Sequence, residues 1–431
     1  MNMNLIKIRE KTVLTITIVF LMVSLTSLTN GFSIYLTNFE NNESYTINQQ
    51  ELDLLAGEII FEIKAFSDVT SPFNISYSVP PVYCDQAPLL INVRNNTNAK
   101  IINFCIINDT LAPNKIINFT IEPMKQGKNA TFYIDFWVLV KNNEYNDLDD
   151  FVEKPKEEDL PENTKIWLSP TKAVQSNNIL IKHRARLLKR FTKDNLTKIA
   201  EKIASFTHNH RKYLISYKIP MLHFQDAVWS YLFGGVCTGR ANLGTALFRA
   251  NGIPARQLAV MPTWSKDMWF DMHYISQYYS PGYGWVLVET SLGITPYEPK
   301  NNVIIRVNYP QDENNAGNWH SSTGTGGVEY WFWTNNEKIY FSYIGPARRA
   351  WVENEVFTNS KNASNAFNLT KEVYGLHTKY FGVNLSGSNN KYYLNATLAQ
   401  KNAVESFKQS NIYEYIENIT YAFDQYKKIN V

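Results

Sequence analysis

The sequence predicts an α+β protein built in three parts: strands first, a mixed core next, helices last. Three observations carry that reading. Between Phe32 and about Asn142, β-rich apolar runs recur between turn signals. In the middle, a glycine-framed cysteine opens an apolar helix and two aromatic strands follow it. Near the end, Ile412, Ile416, Ile419, Phe423 and Tyr426 recur at steps of four and three, the period of a helix face docked on a neighbour. At 431 residues the chain exceeds one ordinary core. The expected boundaries are an N-terminal segment over 1–31, a β-sandwich over 32–142, a linker over 143–164, a core over 165–345 and a helical region over 346–431.

The first segment reads MNMNLIKIREK, followed by an uncharged run from Thr12 to Phe39 whose apolar part ends near Leu28. A basic front before an apolar run fits a signal peptide or a signal anchor. Ser27-Leu28-Thr29 and Thr29-Asn30-Gly31 match the small-x-small cleavage rule poorly, which favours an uncleaved anchor, with the rest of the chain at the cell surface or secreted. Net charge is +3, and Lys7, Arg9 and Lys11 against Glu10 supply two of those units. The remainder is near neutral and lacks the basic footprint of a nucleic-acid binder.

In the second part, Glu58–Ile63, Leu89–Val93, Ile101–Ile107, Ile116–Ile121 and Ala130–Val140 read as strands, and their spacing suggests an immunoglobulin-like sandwich. Of three cysteines, Cys84 and Cys105 fall here; they pair as a disulfide or stay as two core thiols, and the extracytoplasmic address favours the disulfide, with Cys237 alone. Glycosylation sequons occur at Asn42, Asn74, Asn95, Asn108, Asn118, Asn129, Asn195, Asn362, Asn368, Asn384, Asn395 and Asn418. None falls between Thr197 and Ser360, as expected if a glycan there would block a cleft.

Residues 143–163 are acidic and turn-rich around Pro155 and Pro161, which reads as a solvated linker. Ile179–Phe191 and Asn195–Tyr213 read as helices. His208-Asn209-His210, with His223, lacks further ligands at metal spacing, so neither metal nor cofactor is expected.

The core turns on Gly234-Gly235-Val236-Cys237-Thr238-Gly239-Arg240. Glycines let the backbone turn into a helix that runs to Ala250, with Asn251-Gly252-Ile253-Pro254 as its stop. Cys237 then sits in the first turn, where the helix dipole favours a thiolate and unpaired N–H groups can hold an oxyanion. Trp269–Tyr279 and Trp285–Thr290 read as strands joined by Ser280-Pro281-Gly282-Tyr283-Gly284. A hairpin symmetric about Gly282 sets Glu289 opposite Ile275, hence diagonal to His273 on one face. The carboxylate can fix the imidazole, and the imidazole can take the thiol proton. The plain alternatives are a structural cysteine, a satisfied core histidine and a strand-end carboxylate; the glycine frame and the ordered succession favour catalysis. Trp264, Trp269 and Trp285 read either as a substrate groove or as aromatic core. After Pro299, Ser321–Gly327 reads as a loop beside the cleft, and a hairpin turns at Asn335-Asn336.

These blocks, GGVCTGRANLGTALFRANGIPAR, the histidine in an aromatic strand and PGYGWVLVETSLG, resemble the transglutaminase-like superfamily over roughly 165–299. Trp167-Leu168-x-Pro170 and Asp226-Ala227 fit as well. The resemblance implies a papain-like core over 165–345, catalytic residues Cys237, His273 and Glu289, and no cofactor. The chain departs from that pattern in carrying Glu289 where Asp is commoner, Gln277 where Glu is frequent, and Tyr274-Ile275 after the histidine. The implied function is a surface thiol enzyme acting on peptide-type or side-chain amides of a protein, peptide or cell-wall peptide, with hydrolysis favoured over amine transfer. The alternative is a catalytically silent surface interaction module, and Asp271 is the substitute acid if Glu289 is not the third member.

Overall fold

A computed structural model describes residues 52–65, 68–95, 100–141, 148–211, 225–262, 273–314, 330–334, 337–343, 349–352, 360–409 and 411–430. The N-terminal segment 1–31, His223, Trp264, Trp269, Asp271 and the Ser321–Gly327 loop lie outside the described residues. Mixed helix and sheet make an α+β chain, and the described residues belong to one compact unit.

The long strands β1 (Leu52–Ala65) and β6 (Asn129–Lys141) pair antiparallel, with Ala56 opposite Trp137, and β3 (Gln86–Asn95) pairs on the other side of β6. The β3–β6 register slips between Pro88 and Leu90, where proline has no N–H to give the ladder. β2 (Phe73–Val79), β4 (Ile101–Asn108) and β5 (Lys115–Ile121) form a second sheet in the order β2-β5-β4. The two sheets share one core, with the Phe119 and Phe132 rings 6.3 Å apart.

The opposite face of the large sheet is covered as well. Helices α5 (Ser360–Tyr380), α6 (Gly387–Lys408) and α7 (Ile412–Lys427) pack Phe367, Phe407, Tyr415 and Tyr426 into a cluster with Leu52, Leu54, Leu89 and Leu139. A sheet buried on both faces explains why FWVLV is continuously apolar instead of alternating. The last helix therefore does dock, and its support is the N-terminal sheet together with its sister helices.

The core is a four-stranded antiparallel sheet, β10-β7-β8-β9, made of β7 (Ala255–Pro262), β8 (His273–Ser280), β9 (Gly284–Val288) and β10 (Asn302–Val307). Helices α1 (Ile179–Lys189) and α2 (Leu196–Asn209) carry side-chain N-caps from Asn178 and Asn195. After α3 (Ala227–Phe233) comes α4 (Cys237–Ala250), in which every residue but Ala250 is buried. Leu243, Leu247 and Phe248 on α4 each contribute about 2 kcal/mol by burial. Arg249 anchors the far end of α4 through a bidentate pair with Glu313, both side chains fully buried (2.7 and 2.8 Å).

Side-chain amides join the sandwich to the core. Gln86 donates to the Ile304 carbonyl at 2.9 Å and accepts from its N–H at 2.7 Å, and Asn114 does the same for Val307 at 2.8 Å each. The edge of β10 is thereby closed without another strand.

Several expectations are corrected here. No disulfide links the described cysteines. Cys84 sits on the tight turn entering β3 at φ 45°, while Cys105 lies in β4 opposite Asn118, on a different sheet. The acidic stretch is not a free linker, because Val152 and Leu160 are buried and the Leu196 N–H bonds the Val152 carbonyl at 2.7 Å. The Asn195 sequon is occupied structurally: its side chain is buried, caps α2 and donates to the Asp150 carbonyl, which leaves no room for a glycan. The region after Ala347 is not helical from its start, since β13 (Arg349–Val352) pairs with β1. The hairpin of β11 (Tyr330–Thr334) and β12 (Glu337–Tyr343) turns after Thr334 and adds to β1, not to the core sheet.

Candidate active site

The chain reaches Cys237 through a sharp reversal. α3 ends at Gly234, whose φ of 92° is open to glycine, and Val236 is extended before α4 begins. Gly239, in the first turn of α4, faces the start of α3 so closely that a Cβ would meet Ser230 Oγ at 2.3 Å and Gln225 Oε1 at 2.5 Å. The two helix starts are thus clamped, and the Val236 N–H donates to Gln225 Oε1 at 3.1 Å.

On the facing sheet, Ser280 pairs with Gly284, Tyr278 with Val286 and Ser276 with Val288, a register symmetric about Gly282. Glu289 follows β9, and its N–H and carbonyl turn to Ile294 (2.9 and 3.1 Å). Its carboxylate is fully buried, with Oε2 at 2.6 Å from His273 Nε2 and Oε1 accepting the Ser291 N–H at 2.7 Å. His273 opens β8, and with Nε2 on the carboxylate its Nδ1 is the nitrogen left for the thiol, which it hydrogen-bonds. The structure thus brings Cys237, His273 and Glu289 together.

Electrostatics follow from these contacts. Burial pushes the Cys237 thiol up, but the His273 hydrogen bond and charge, the Tyr274 N–H and the Thr238 hydroxyl outweigh it, and the thiol lies below its ordinary value. Burial opposes the imidazolium of His273 too, yet the Glu289 carboxylate and the Cys237 thiolate raise it to about 10. Both directions favour a thiolate–imidazolium pair at neutral pH.

Sequence reasoning missed the residues that hold Glu289. Ser291 donates its N–H to the carboxylate while its carbonyl accepts from His208 Nδ1 at 2.6 Å and from Arg240 at 3.4 Å. Arg240 also donates to the His208 and Arg211 carbonyls, each at 2.8 Å. The available signal was Arg240 itself, a cation three residues past Cys237 in the first turn of a buried helix. His208 and His210 are spoken for by the Ser291 and Tyr231 carbonyls.

Gln277 lies deep in the core, away from solvent. It accepts from Tyr83 at 2.5 Å and from Arg256 at 3.2 Å. Arg256 is caged by the Trp285, Trp167 and Tyr83 rings at 3.6, 4.7 and 5.0 Å. Trp167 and Trp285 build this cage, so the structure places Trp285 in aromatic packing. Burial brings Arg256 down to about 9, still charged at neutral pH.

Residues 185–290 of this core match the sequence model of the transglutaminase-like superfamily. That match and the pairing of His273 with Glu289 beside Cys237 support a cysteine-dependent enzyme in general. Among solved structures, a proposed cysteine protease from Cytophaga hutchinsonii is 15% identical with a TM-score of 0.50, over 72% of this chain and 94% of that one, and shares the fold. The periplasmic domain of TgpA from Pseudomonas aeruginosa, bound to ethylmercury, is 14% identical over 56% of this chain and 92% of its own, with a TM-score of 0.25. A proposed protease from Parabacteroides distasonis is 15% identical over 54% and 43%, with a TM-score of 0.23. No curated protein matches the chain.

Proposed function

We propose that the protein is a cell-surface thiol enzyme that cleaves amide bonds through an acyl-cysteine intermediate. The observation that carries this is His273 held at 2.6 Å by Glu289 on one nitrogen and bonded to the Cys237 thiol on the other. In the proposed step, Sγ attacks the amide carbonyl carbon and the oxyanion faces the first N–H groups of α4. The imidazolium gives its Nδ1 proton to the amine as the C–N bond breaks, leaving a thioester. His273, now neutral, takes a proton from water; the hydroxide attacks the thioester carbonyl and expels the thiolate, and the proton stays on His273. Glu289 keeps the imidazole oriented and charged throughout. An amine in place of water would give cross-linking with the same residues; hydrolysis is favoured because no amine site is evident among the described residues.

The apolar N-terminal run supports an extracytoplasmic address, where the substrate would be a protein, peptide or cell-wall peptide. The silent-module alternative loses one of its supports, since Gln277 is a core residue far from the thiol chemistry in role. The test is turnover of a pool of peptide amides by the parent and by Cys237→Ala. Release of amine by the parent alone supports the proposal, and equal release by both removes it.

A further inference from the structure

We propose that the groove between the start of α1 and the outer face of α3 binds an extended peptide segment. That this segment flanks the amide attacked by Cys237 rests on the catalytic reading above. The groove is open to solvent and holds about 470 Å³, within the range of ligand sites.

Its polar wall is fixed in orientation by the backbone. Gln175 Oε1 accepts the Val228 N–H at 2.9 Å, and Asn178 Oδ1 accepts the Leu180 N–H at 2.9 Å. A backbone N–H only donates, so both amide oxygens face inward and both NH₂ groups face out. Neither NH₂ has a partner among the described residues, and the exposed Asn177 adds a third amide. Asp226 Oδ1 accepts the Trp229 N–H at 2.8 Å, and the Asp226 carboxylate lines the groove. Val228, Trp229 and Leu232 supply the apolar side.

Amide donors for carbonyls, one carboxylate for an N–H and an apolar wall for a side chain complement a peptide main chain. Sugar hydroxyls, each both donor and acceptor, would be met by a more even mixture of groups than this donor-rich wall. An open trough suits a chain passing through more than a small enclosed molecule. The position also fits: Asp226 follows Gln225, whose side chain accepts from Val236 beside Cys237 and whose carbonyl accepts from Asn242 at 2.5 Å.

The test uses full-length Cys237→Ala protein, which cannot turn over substrate, and a pool of N-acetylated, C-amidated random octapeptides. Immobilised protein should enrich a subset of the pool. Adding Asn177→Ala with Leu232→Ser, both at exposed positions, should weaken retention about tenfold, the effect of losing one or two contacts. Asp226→Asn keeps the helix cap and should weaken it less. Thermal midpoints of the variants must match the parent's. No enrichment on the parent, undiminished enrichment on the double variant, or retention of chito-oligosaccharides in place of peptides would each overturn the proposal. Retained peptide together with an unreactive Cys237 in the wild-type chain would sink the catalytic reading and leave the groove standing.

Discussion

His273 in the cleft and His377 beneath the helical layer are both buried, and burial pushes both toward the neutral form. His377 meets only neutral groups, the Tyr426 hydroxyl at 2.9 Å and the Ile91 carbonyl at 3.1 Å, and it falls to about 4. His273 meets a buried carboxylate and a thiol, and it rises to about 10. Burial alone thus does not set the charge state, and the carboxylate and thiol decide it. A histidine buried against carbonyls and hydroxyls joins α5 to the sheet; one buried between an acid and a thiol can move a proton.

The largest effect expected is on the reacting pair itself. Cys237→Ala should lower amide turnover by about 10⁶-fold, and His273→Ala by a similar factor, measured as amine release. In His273→Ala only burial and weaker donors act on the thiol, so its titration should move up.

Next comes the acid that separates the two histidines. Glu289→Gln sets an NH₂ against His273 Nε2 and favours the wrong tautomer, which should cost about 10²–10⁴-fold in kcat. Glu289→Asp keeps the charge but shortens the reach. With both oxygens already engaged at 2.6 and 2.7 Å, the loss should approach 10²-fold, still milder than Gln. Parent-like rates in Glu289→Gln would move the third role elsewhere, with Asp271 tested next.

A smaller effect is expected one step further out. Arg240→Gln loses charged donors to the His208 and Arg211 carbonyls and loosens Ser291, so kcat should fall about tenfold. The thiol titration should shift upward in the same variant, which a purely structural loss would not cause.

The smallest effect on turnover belongs to His377, where the readout is stability. Its folded value of about 4 lies below the ordinary histidine value of 6.5, so its contribution is full above pH 6.5 and is lost as pH falls toward 4. Urea unfolding of the parent should lose about 3 kcal/mol more over that window than His377→Gln loses. Parallel pH curves for the two proteins would show that His377 is not held neutral.

Much of the cleft was legible because its geometry is local. Turn residues about Gly282 set the hairpin register, and the glycines before Cys237 set the helix start. The clamp behind Glu289 was not legible, because Arg240 and His208 act on backbone carbonyls, which carry no residue type. Cysteine number suggested a disulfide, but strand-like sequence around Cys84 and Cys105 does not say which sheet each joins. The two-sided burial of the large sheet was written in continuous apolar runs such as FWVLV, yet only the docked helices reveal what covers the second face.

The most direct measurement is the pH dependence of Cys237 alkylation in the intact protein, read by mass spectrometry at that residue, beside Glu289→Gln. The account predicts a parent midpoint below the ordinary thiol value of about 8.5, and a midpoint displaced upward in the variant. A parent thiol that titrates at or above the ordinary value, unchanged by Glu289→Gln, would contradict it.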